Sequence, residues 1–374
     1  MHTLDWLTDA AEQRAARGLH RTLRSRSNAV IDLASNDYLG LGDNPEVQDA
    51  ACAAVRRWGV GATGSRLVTG TTELHLALES ELASFVGAES GLVFSSGYTA
   101  NLGVVAAMSG RGSLVLSDSA SHASLVDACR LSRADVEVYD RRDLASVSRL
   151  LSTRTQERAL VVTDSVFSAD GDLAPLRELH MLCRRHSALL VVDEAHGAGV
   201  RGAGGRGLVH ELGLAGEPDI LITATLSKSL AAQGGVVLGP SVVRDHLIDT
   251  ARPFIFDTGL APAAVGAARA ALAVLEREPE RAQAVRDNAA RLASIVGVDK
   301  PESAVVSVVL GDAERAYDAA QEAFRRGVHV GCFRPPSVPQ GTSRLRLTAR
   351  ATLTERDLET VEDVLGSILR GVPA

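Results

Sequence analysis

Ala188-Leu189-Leu190-Val191-Val192-Asp193-Glu194-Ala195-His196 is the stretch on which the fold turns. Five apolar residues run without interruption and stop at an acid. A strand with one wet face alternates polar and apolar residues, and this one does not. It therefore reads as a strand covered on both faces, as in a parallel sheet. Upstream, Ala159 to Val162 repeats the pattern and leads to Asp164; downstream, Ile220-Leu221-Ile222 leads to Thr225. Each step is about 30 residues, one βαβ unit. Leu92-Val93-Phe94, Leu114-Val115-Leu116 and Val136-Glu137-Val138 are further strand candidates, with helical patterns over Glu73 to Val86 and Tyr98 to Met108. The alternation predicts an α/β domain built on a large, mostly parallel sheet. Ligands of such sheets sit outside the carboxyl ends of the strands. Asp164, Asp193 and Thr225 should then point into one crevice.

The 374 residues are too many for one compact core and enough for a large domain and a smaller one. Residues 1–44 read as an N-terminal arm and part of a small domain, 45–260 as the large domain, and 261–374 as a small α+β domain. Residues 4–24 suggest an amphipathic helical arm, made basic by Arg14, Arg17, Arg21, Arg24 and Arg26. Beyond Gly259, helical patterns at about 262–275, 280–294 and 313–326 mix with strand candidates Val305 to Leu310, Val328 to Val330 and Leu345 to Thr348. Thr354 and Asp357 resemble a capping box that opens the last helix.

Composition narrows the function. Hydrophobic residues make up 45% and charged residues 23%, an ordinary globular balance. Aromatics are 3% and the net charge is −7, which disfavours nucleic acid as a partner. Cys52, Cys129, Cys183 and Cys332 form no C-x-x-C pair, so neither a zinc site nor a disulfide framework is expected. No signal peptide and no long apolar run stand out, so the expectation is a cytoplasmic enzyme without membrane association.

Three motifs point elsewhere and lack their context. Gly59-Val60-Gly61-Ala62-Thr63-Gly64 matches G-x-G-x-x-G, but a helical stretch precedes it where a dinucleotide site needs a strand. Val191 to His196 looks like the magnesium-binding strand of a helicase-type ATPase, yet no G-x-x-x-x-G-K-[ST] loop exists in the chain. Asp193, Glu194 and His196 make an incomplete metal ligand set, and no metal is expected. A nucleotide-binding module without enzymatic activity is thus the remote alternative.

The chemistry gathers in Thr223-Ala224-Thr225-Leu226-Ser227-Lys228-Ser229-Leu230. Most lysines after a strand are surface charges. This one has small and apolar flanks followed by Gly234-Gly235, a setting that favours the neutral, nucleophilic amine. Ser96-Gly97-Tyr98 follows a strand and opens a helix, whose free amides suit a phosphate dianion.

Together these segments resemble the α-oxoamine synthases, a subfamily of the fold-type I pyridoxal 5′-phosphate (PLP) transferases with the aspartate-aminotransferase-like fold. The resemblance runs from Asp32-Leu33-Ala34-Ser35-Asn36-Asp37-Tyr38-Leu39-Gly40 to Arg344-Leu345-Arg346-Leu347-Thr348. It implies that Lys228 is the Schiff-base lysine and moves protons at the substrate α-carbon. It implies that Asp193 pairs with the pyridine nitrogen, that His196 and Ser168 (or Ser165) reach the phenolic oxygen, and that His122 stacks on the ring. Gly97, Tyr98 and Thr225 would hold the phosphate. Arg346, helped by Asn36, would grip the amino-acid carboxylate, and Arg334, Ser337 and Arg21 (or Arg24) would line the substrate site. The reaction implied is a decarboxylative condensation of L-alanine with pimeloyl-CoA or its acyl-carrier-protein thioester. Sister reactions use glycine or serine, as in glycine C-acetyltransferase and 5-aminolevulinate synthase. A homodimer is implied as well. One departure is plain: Ser229 to Gln233 stand where the family often has a glycine-rich run.

Overall fold

A computed structural model describes residues 3–25 and 29–370; Arg26 of the basic arm lies outside the described residues. Its strands are β1 (Ile31–Leu33), β2 (Ser90–Phe94), β3 (Ser113–Asp118), β4 (Asp135–Tyr139), β5 (Arg158–Asp164), β6 (Leu189–Asp193), β7 (Ile220–Thr225), β8 (Gly235–Gly239), β9 (Val305–Gly311), β10 (Val328–Phe333) and β11 (Ser343–Thr348). The chain divides into two compact units, and each is described by itself.

The larger unit takes Asn36–Ser168 and Asp172–Val285. Its seven strands lie in the order β2-β8-β7-β6-β5-β3-β4. Strands β3 to β7 are mutually parallel, and β8 runs antiparallel to both β7 and β2. The six apolar runs predicted for this region are all strands. The missing member is β8, whose Gly-Val-Val-Leu-Gly is too short to stand out. Its reversed direction follows from its linker, since the chain between β7 and β8 is too short for a helical crossover and can only return as a hairpin.

The uninterrupted strands are central, as expected. Val161, Val162, Leu190, Val191 and Leu221 are all fully buried. Edge strand β4 shows the opposite pattern, with Asp135, Val136, Glu137 and Val138 exposed. The covering helices follow the helical period: Leu176, Leu179, His180 and Cys183 of Leu176–Arg185 are buried, while Arg184 and Glu178 face outward. Burying a leucine such as Leu179 stabilises the fold by about 2 kcal/mol. Helix Pro262–Arg277 also packs within this unit, so the unit continues to Val285, past the expected limit at 260. Gly266 allows that close packing: a Cβ there would lie 2.8 Å from both the Ala50 carbonyl oxygen and the Ala54 side chain. At the other end Tyr38, Leu39 and Leu41 are fully buried, which draws residues from Asn36 onward into the same unit.

The smaller unit is built from residues up to Ser35, from Ala169–Gly171 and from Arg286 onward. Its sheet has the order β1-β10-β11-β9. Thr348 joins β11 to the segment after β1, its hydroxyl donating to the carbonyls of Leu33 (2.8 Å) and Ser35 (2.6 Å). The capping box is present: Asp357 accepts from the Thr354 amide at 2.9 Å, and the Thr354 hydroxyl accepts from the Asp357 amide at 3.2 Å. The basic arm departs from expectation. Its helix is only Asp5–Ala16 and buries no residue. Gly18, at φ +62°, ends it, with the Leu19 amide returning to the Arg14 carbonyl at 2.8 Å.

Candidate active site

The carboxyl ends of β3, β5, β6 and β7 bring Asp118, Asp164, Asp193 and Thr225 to one edge of the sheet. A cavity of about 230 Å³ opens there, bordered by Asp164, Asp193, Thr225 and Lys228, with His122, His196 and Gly97 also on its wall. The crevice predicted from strand spacing is therefore present.

Asp193 is 5% exposed and fully engaged on its protein side. Its Oδ1 accepts from the Ala195 amide at 2.9 Å and its Oδ2 from Asn101 Nδ2 at 2.7 Å. Asn101, buried on helix Gly97–Met108, accepts in turn from the Thr223 hydroxyl at 2.6 Å. The carboxylate is thus clamped from strand and helix, with its charge aimed at the cavity.

Lys228 sits on the loop between β7 and β8. Its Nζ lies 3.0 Å from His196 Nε2, and His196 Nδ1 lies 2.6 Å from the Tyr38 hydroxyl. Asn36 Oδ1 is 3.1 Å from that hydroxyl. The lysine loop is held by the Leu226 amide on the Gly234 carbonyl (3.0 Å) and by Ser229 Oγ on the Ala198 carbonyl (2.7 Å). Where the family often has glycine, Ala231 takes the left-handed φ of +49°. That conformation costs a non-glycine residue roughly 1–2 kcal/mol.

His122 caps helix Ala123–Ser132. Its amide donates to Asp164 Oδ2 at 2.8 Å, and its Nδ1 lies 2.7 Å from Ser124 Oγ. Burial lowers the His122 pKa and Lys228 adds to that, against the opposing pull of Asp193. Asp164 has its pKa raised well above the ordinary carboxyl value, by burial and then by the neighbouring Asp193. Burial thus favours the neutral imidazole.

Helix Gly97–Met108 begins at this edge. Ser96 Oγ accepts from the Thr99 amide at 3.1 Å and the Ser96 amide donates to Thr99 Oγ1 at 3.0 Å. That box leaves the amides of Gly97 and Tyr98, which no intrahelical carbonyl reaches. Glycine makes the approach possible. A Cβ on Gly235 would lie 2.3 Å from the Ser96 carbonyl oxygen and 2.5 Å from the Gly97 nitrogen; one on Gly97 would lie 3.0 Å from Thr225 Cβ. The hydroxyls of Thr225 and Ser227, 2.7 Å apart, complete the pocket. Amides and hydroxyls suit a phosphate, an amine suits an aldehyde and a carboxylate suits a protonated ring nitrogen, so the donor set fits PLP.

The remaining predicted residues lie elsewhere. Ser168, half-buried on the turn after β5, is not part of the cavity lining. Tyr98 does border the cavity, and its hydroxyl donates to Asp127. Arg346, Arg334, Ser337 and Arg21 belong to the smaller unit. There Arg346 is 3% exposed and its guanidinium lies over the Phe333 ring. Arg334 donates to the carbonyls of Gly18 and His20, so it ties down the N-terminal arm. Arg21, Arg334 and Ser337 border a cavity of about 600 Å³. Arg24 borders the same cavity, packs over Phe324 and donates to Gln321 at 2.5 Å.

The three misleading motifs resolve in the same terms. Gly59 ends helix Pro45–Trp58, so no strand feeds the glycine triplet. Asp193, Glu194 and His196 diverge: Glu194 accepts from Ser165 Oγ (2.7 Å) and the Val209 amide (2.6 Å), while its neighbours face Asn101 and Lys228. They share no ligand centre. All four cysteines are free thiols. Sequence reasoning missed Asn101, Ser124 and Tyr38 as parts of the site. Asn101 carried a signal, a lone amide inside the apolar helical run Tyr98 to Met108.

Comparison with known proteins agrees with this geometry. Residues 28–365 match the family described as aminotransferase class I and II. The 8-amino-7-oxononanoate synthase of Mycolicibacterium gilvum (strain PYR-GCK) is 66% identical over 369 residues, covering 98% of this chain and 97% of the relative. A lysine-to-alanine variant of serine palmitoyltransferase from S. paucimobilis, solved with a bound PLP–myriocin aldimine, superposes with a TM-score of 0.91 at 30% identity, covering 99% of this chain and 98% of that one. An 8-amino-7-oxononanoate synthase from Francisella tularensis gives a TM-score of 0.78 at 25% identity, covering 92% and 98%.

Proposed function

The chain belongs to the class I and II aminotransferase family, and within it we propose the reaction of an 8-amino-7-oxononanoate synthase. It is a PLP-dependent acyltransferase that condenses L-alanine with a pimeloyl thioester, releasing CO2 and the thiol, in biotin biosynthesis. The observation that carries this is the identity of 66% across nearly the whole of both chains.

When bound, PLP supplies an electron sink for a carbanion at the amino-acid α-carbon. Lys228 would hold it through its amine, and Asp193 would keep a proton on the ring nitrogen. The amides of Gly97 and Tyr98, with Thr225, would hold the phosphate. His196 is assigned to the phenolic oxygen and His122 to the ring face. With PLP bound, the Lys228 amine would take the α-proton of the amino acid and later return one. Arg346, with Asn36, is assigned to the amino-acid carboxylate; its planar fork suits bidentate binding. Arg21, Arg334 and Ser337 are assigned to the acyl side.

A homodimer is part of the proposal. The loop after Gly59 carries Val60, Leu67 and Val68 at 81%, 51% and 77% exposure, apolar surface suited to a second copy. Complementation between a Lys228 variant and a Thr71 or Thr72 variant tests whether that loop serves the neighbour's phosphate site. No helix among the described residues is long and apolar enough to cross a membrane, and a cytoplasmic location belongs to the same proposal.

A second reading has its own support, since the serine palmitoyltransferase superposes with the higher TM-score of the two structures. It keeps the cofactor and changes the amino acid. Thiol release from pimeloyl-CoA, assayed with L-alanine, glycine and L-serine separately, decides. Release with L-alanine alone supports the first reading; release only with glycine or serine assigns the chain to a sister activity.

A further inference from the structure

Asp193 and His122 flank the same cavity and are joined by hydrogen bonds through two residues that no step above uses. Asn101 Nδ2 lies 2.7 Å from Asp193 Oδ2 and 2.8 Å from Ser124 Oγ, and Ser124 Oγ lies 2.7 Å from His122 Nδ1. The direction of each bond can be worked out. A carboxylate oxygen only accepts, so the Asn101 atom facing it is the amide nitrogen. The Asn101 oxygen is then the atom that receives the Thr223 hydroxyl at 2.6 Å. The second amide hydrogen goes to Ser124 Oγ, which leaves Ser124 its own proton to place. His122 Nδ1 stands within reach to accept it.

A second contact removes the opposite arrangement. The backbone amide of Ser124 also donates to His122 Nδ1, at 3.3 Å. An amide hydrogen cannot face a ring N–H. Nδ1 therefore carries no proton, and the neutral ring holds its proton on Nε2.

We propose that Asn101 and Ser124 are positioning residues that fix His122 as the Nε2–H tautomer, so that the ring offers substrate a hydrogen-bond donor and not a base. The inference rests on the reading of this cavity as the substrate site. Its chemical sense is that a neutral imidazole can polarise a carboxylate or thioester carbonyl oxygen while keeping its proton. Proton removal at the α-carbon is then left to Lys228. The same amide fixes the Asp193 carboxylate, so one side chain sets both the ring-nitrogen partner and the histidine that faces it. Charged groups around the imidazole act in both directions: Lys228 disfavours its cation and Asp193 favours it, while Asp164 holds its backbone amide. Burial tips the balance toward the neutral ring, in agreement with the bare Nδ1.

The test uses full-length, cofactor-loaded protein labelled with 15N-histidine. Two-bond 1H–15N spectra distinguish the charged ring and both neutral tautomers, and a His122→Asn variant identifies the signal. The expected result is the Nε2–H form at neutral pH. An Nδ1–H ring, or a charged ring at neutral pH, overturns the proposal. In Ser124→Ala, which keeps the backbone amide and loses the hydroxyl donor to Nδ1, the titration midpoint should rise by about one pH unit, with a roughly tenfold higher KM for the amino acid. Ser124→Thr should restore both. A Ser124→Ala ring indistinguishable from the parent also overturns it. If Ser124→Ala fails to fold, the parent spectrum alone still decides. The tautomer is read from the ring itself, so a failure of the alanine and pimeloyl assay leaves this result standing.

Discussion

Lys228 Nζ stands 3.0 Å from His196 Nε2, so the amine assigned to the cofactor is already held by a second residue assigned to the cofactor. Replacing the lysine removes the covalent anchor and the group that moves the α-proton. Lys228→Ala should lower kcat by about 10³-fold or more. Borohydride treatment of the loaded parent should fix a mass adduct that the variant lacks. A variant with parental turnover would falsify the assignment.

Gly235 backs directly onto the start of helix Gly97–Met108, where a Cβ would fall 2.3 Å from the Ser96 carbonyl oxygen. Backbone must move to admit a methyl group. Gly235→Ala should weaken PLP binding about tenfold or more, by displacing the amides of Gly97 and Tyr98. Equilibrium titration of the cofactor checks this, and unchanged affinity would assign the phosphate to other groups.

Arg66 and Glu79 form a buried ion pair at 2.8 Å, with side chains 6% and 5% exposed. Glu79 also accepts from the Val93 amide at 2.9 Å, and Arg66 donates to the Val93 carbonyl at 3.0 Å. The pair thus clasps β2. Glu79→Ala leaves a buried guanidinium unpaired and should cost about 3–5 kcal/mol in denaturant unfolding. A loss below about 1 kcal/mol would show that water reaches Arg66.

Glu194 is buried, and desolvation raises its pKa from 4.5 to about 7. Between those values the folded state binds more protons at this group than the unfolded state. Its contribution to stability is complete below about pH 4.5 and is lost as pH rises through about 7. Glu194→Gln keeps an acceptor for the Val209 amide and removes the titration. Its unfolding free energy should fall less over that window than the parent's, by up to about 3 kcal/mol. Parallel pH–stability curves would mean that Glu194 titrates normally.

Arg334 donates to the carbonyls of Gly18 and His20 and stacks over Tyr317. Arg334→Ala should free the arm, raising the rate of limited tryptic cleavage among Arg14, Arg17, Arg21 and Arg24 several-fold. Equal cleavage rates in parent and variant would leave Arg334 with the substrate contact alone.

The central sheet and the crevice were legible because buried parallel strands have to be apolar along their whole length. Asp164, Asp193 and Thr225 announced themselves as the polar residues that end such runs. Strand β8 is not legible, since three branched residues between two glycines carry no period. The arm helix is shorter than its pattern because Gly18 looks innocuous in sequence and acts only through its left-handed φ. A change of composition sets residues 262–285 apart in the sequence, yet packing against Ala50 and Ala54 decides where that helix belongs. Asn101 and Ser124 were invisible as parts of the site because their meaning lies in who stands opposite them after folding.

The reversed strand β8 also bears on the order in which the enzyme is made. Strand β2 joins the sheet only through β8, pairing Ser90 with Gly239 and Phe94 with Gly235. A chain emerging from the ribosome therefore carries β2 and the following helix start long before their partner exists. The hairpin of β7 and β8 brings Lys228 and closes the cofactor cradle at nearly the same moment. A nascent chain cut short before residue 235 would lack the strand that joins β2 to the sheet and backs the helix start, so the cradle is complete only late in synthesis.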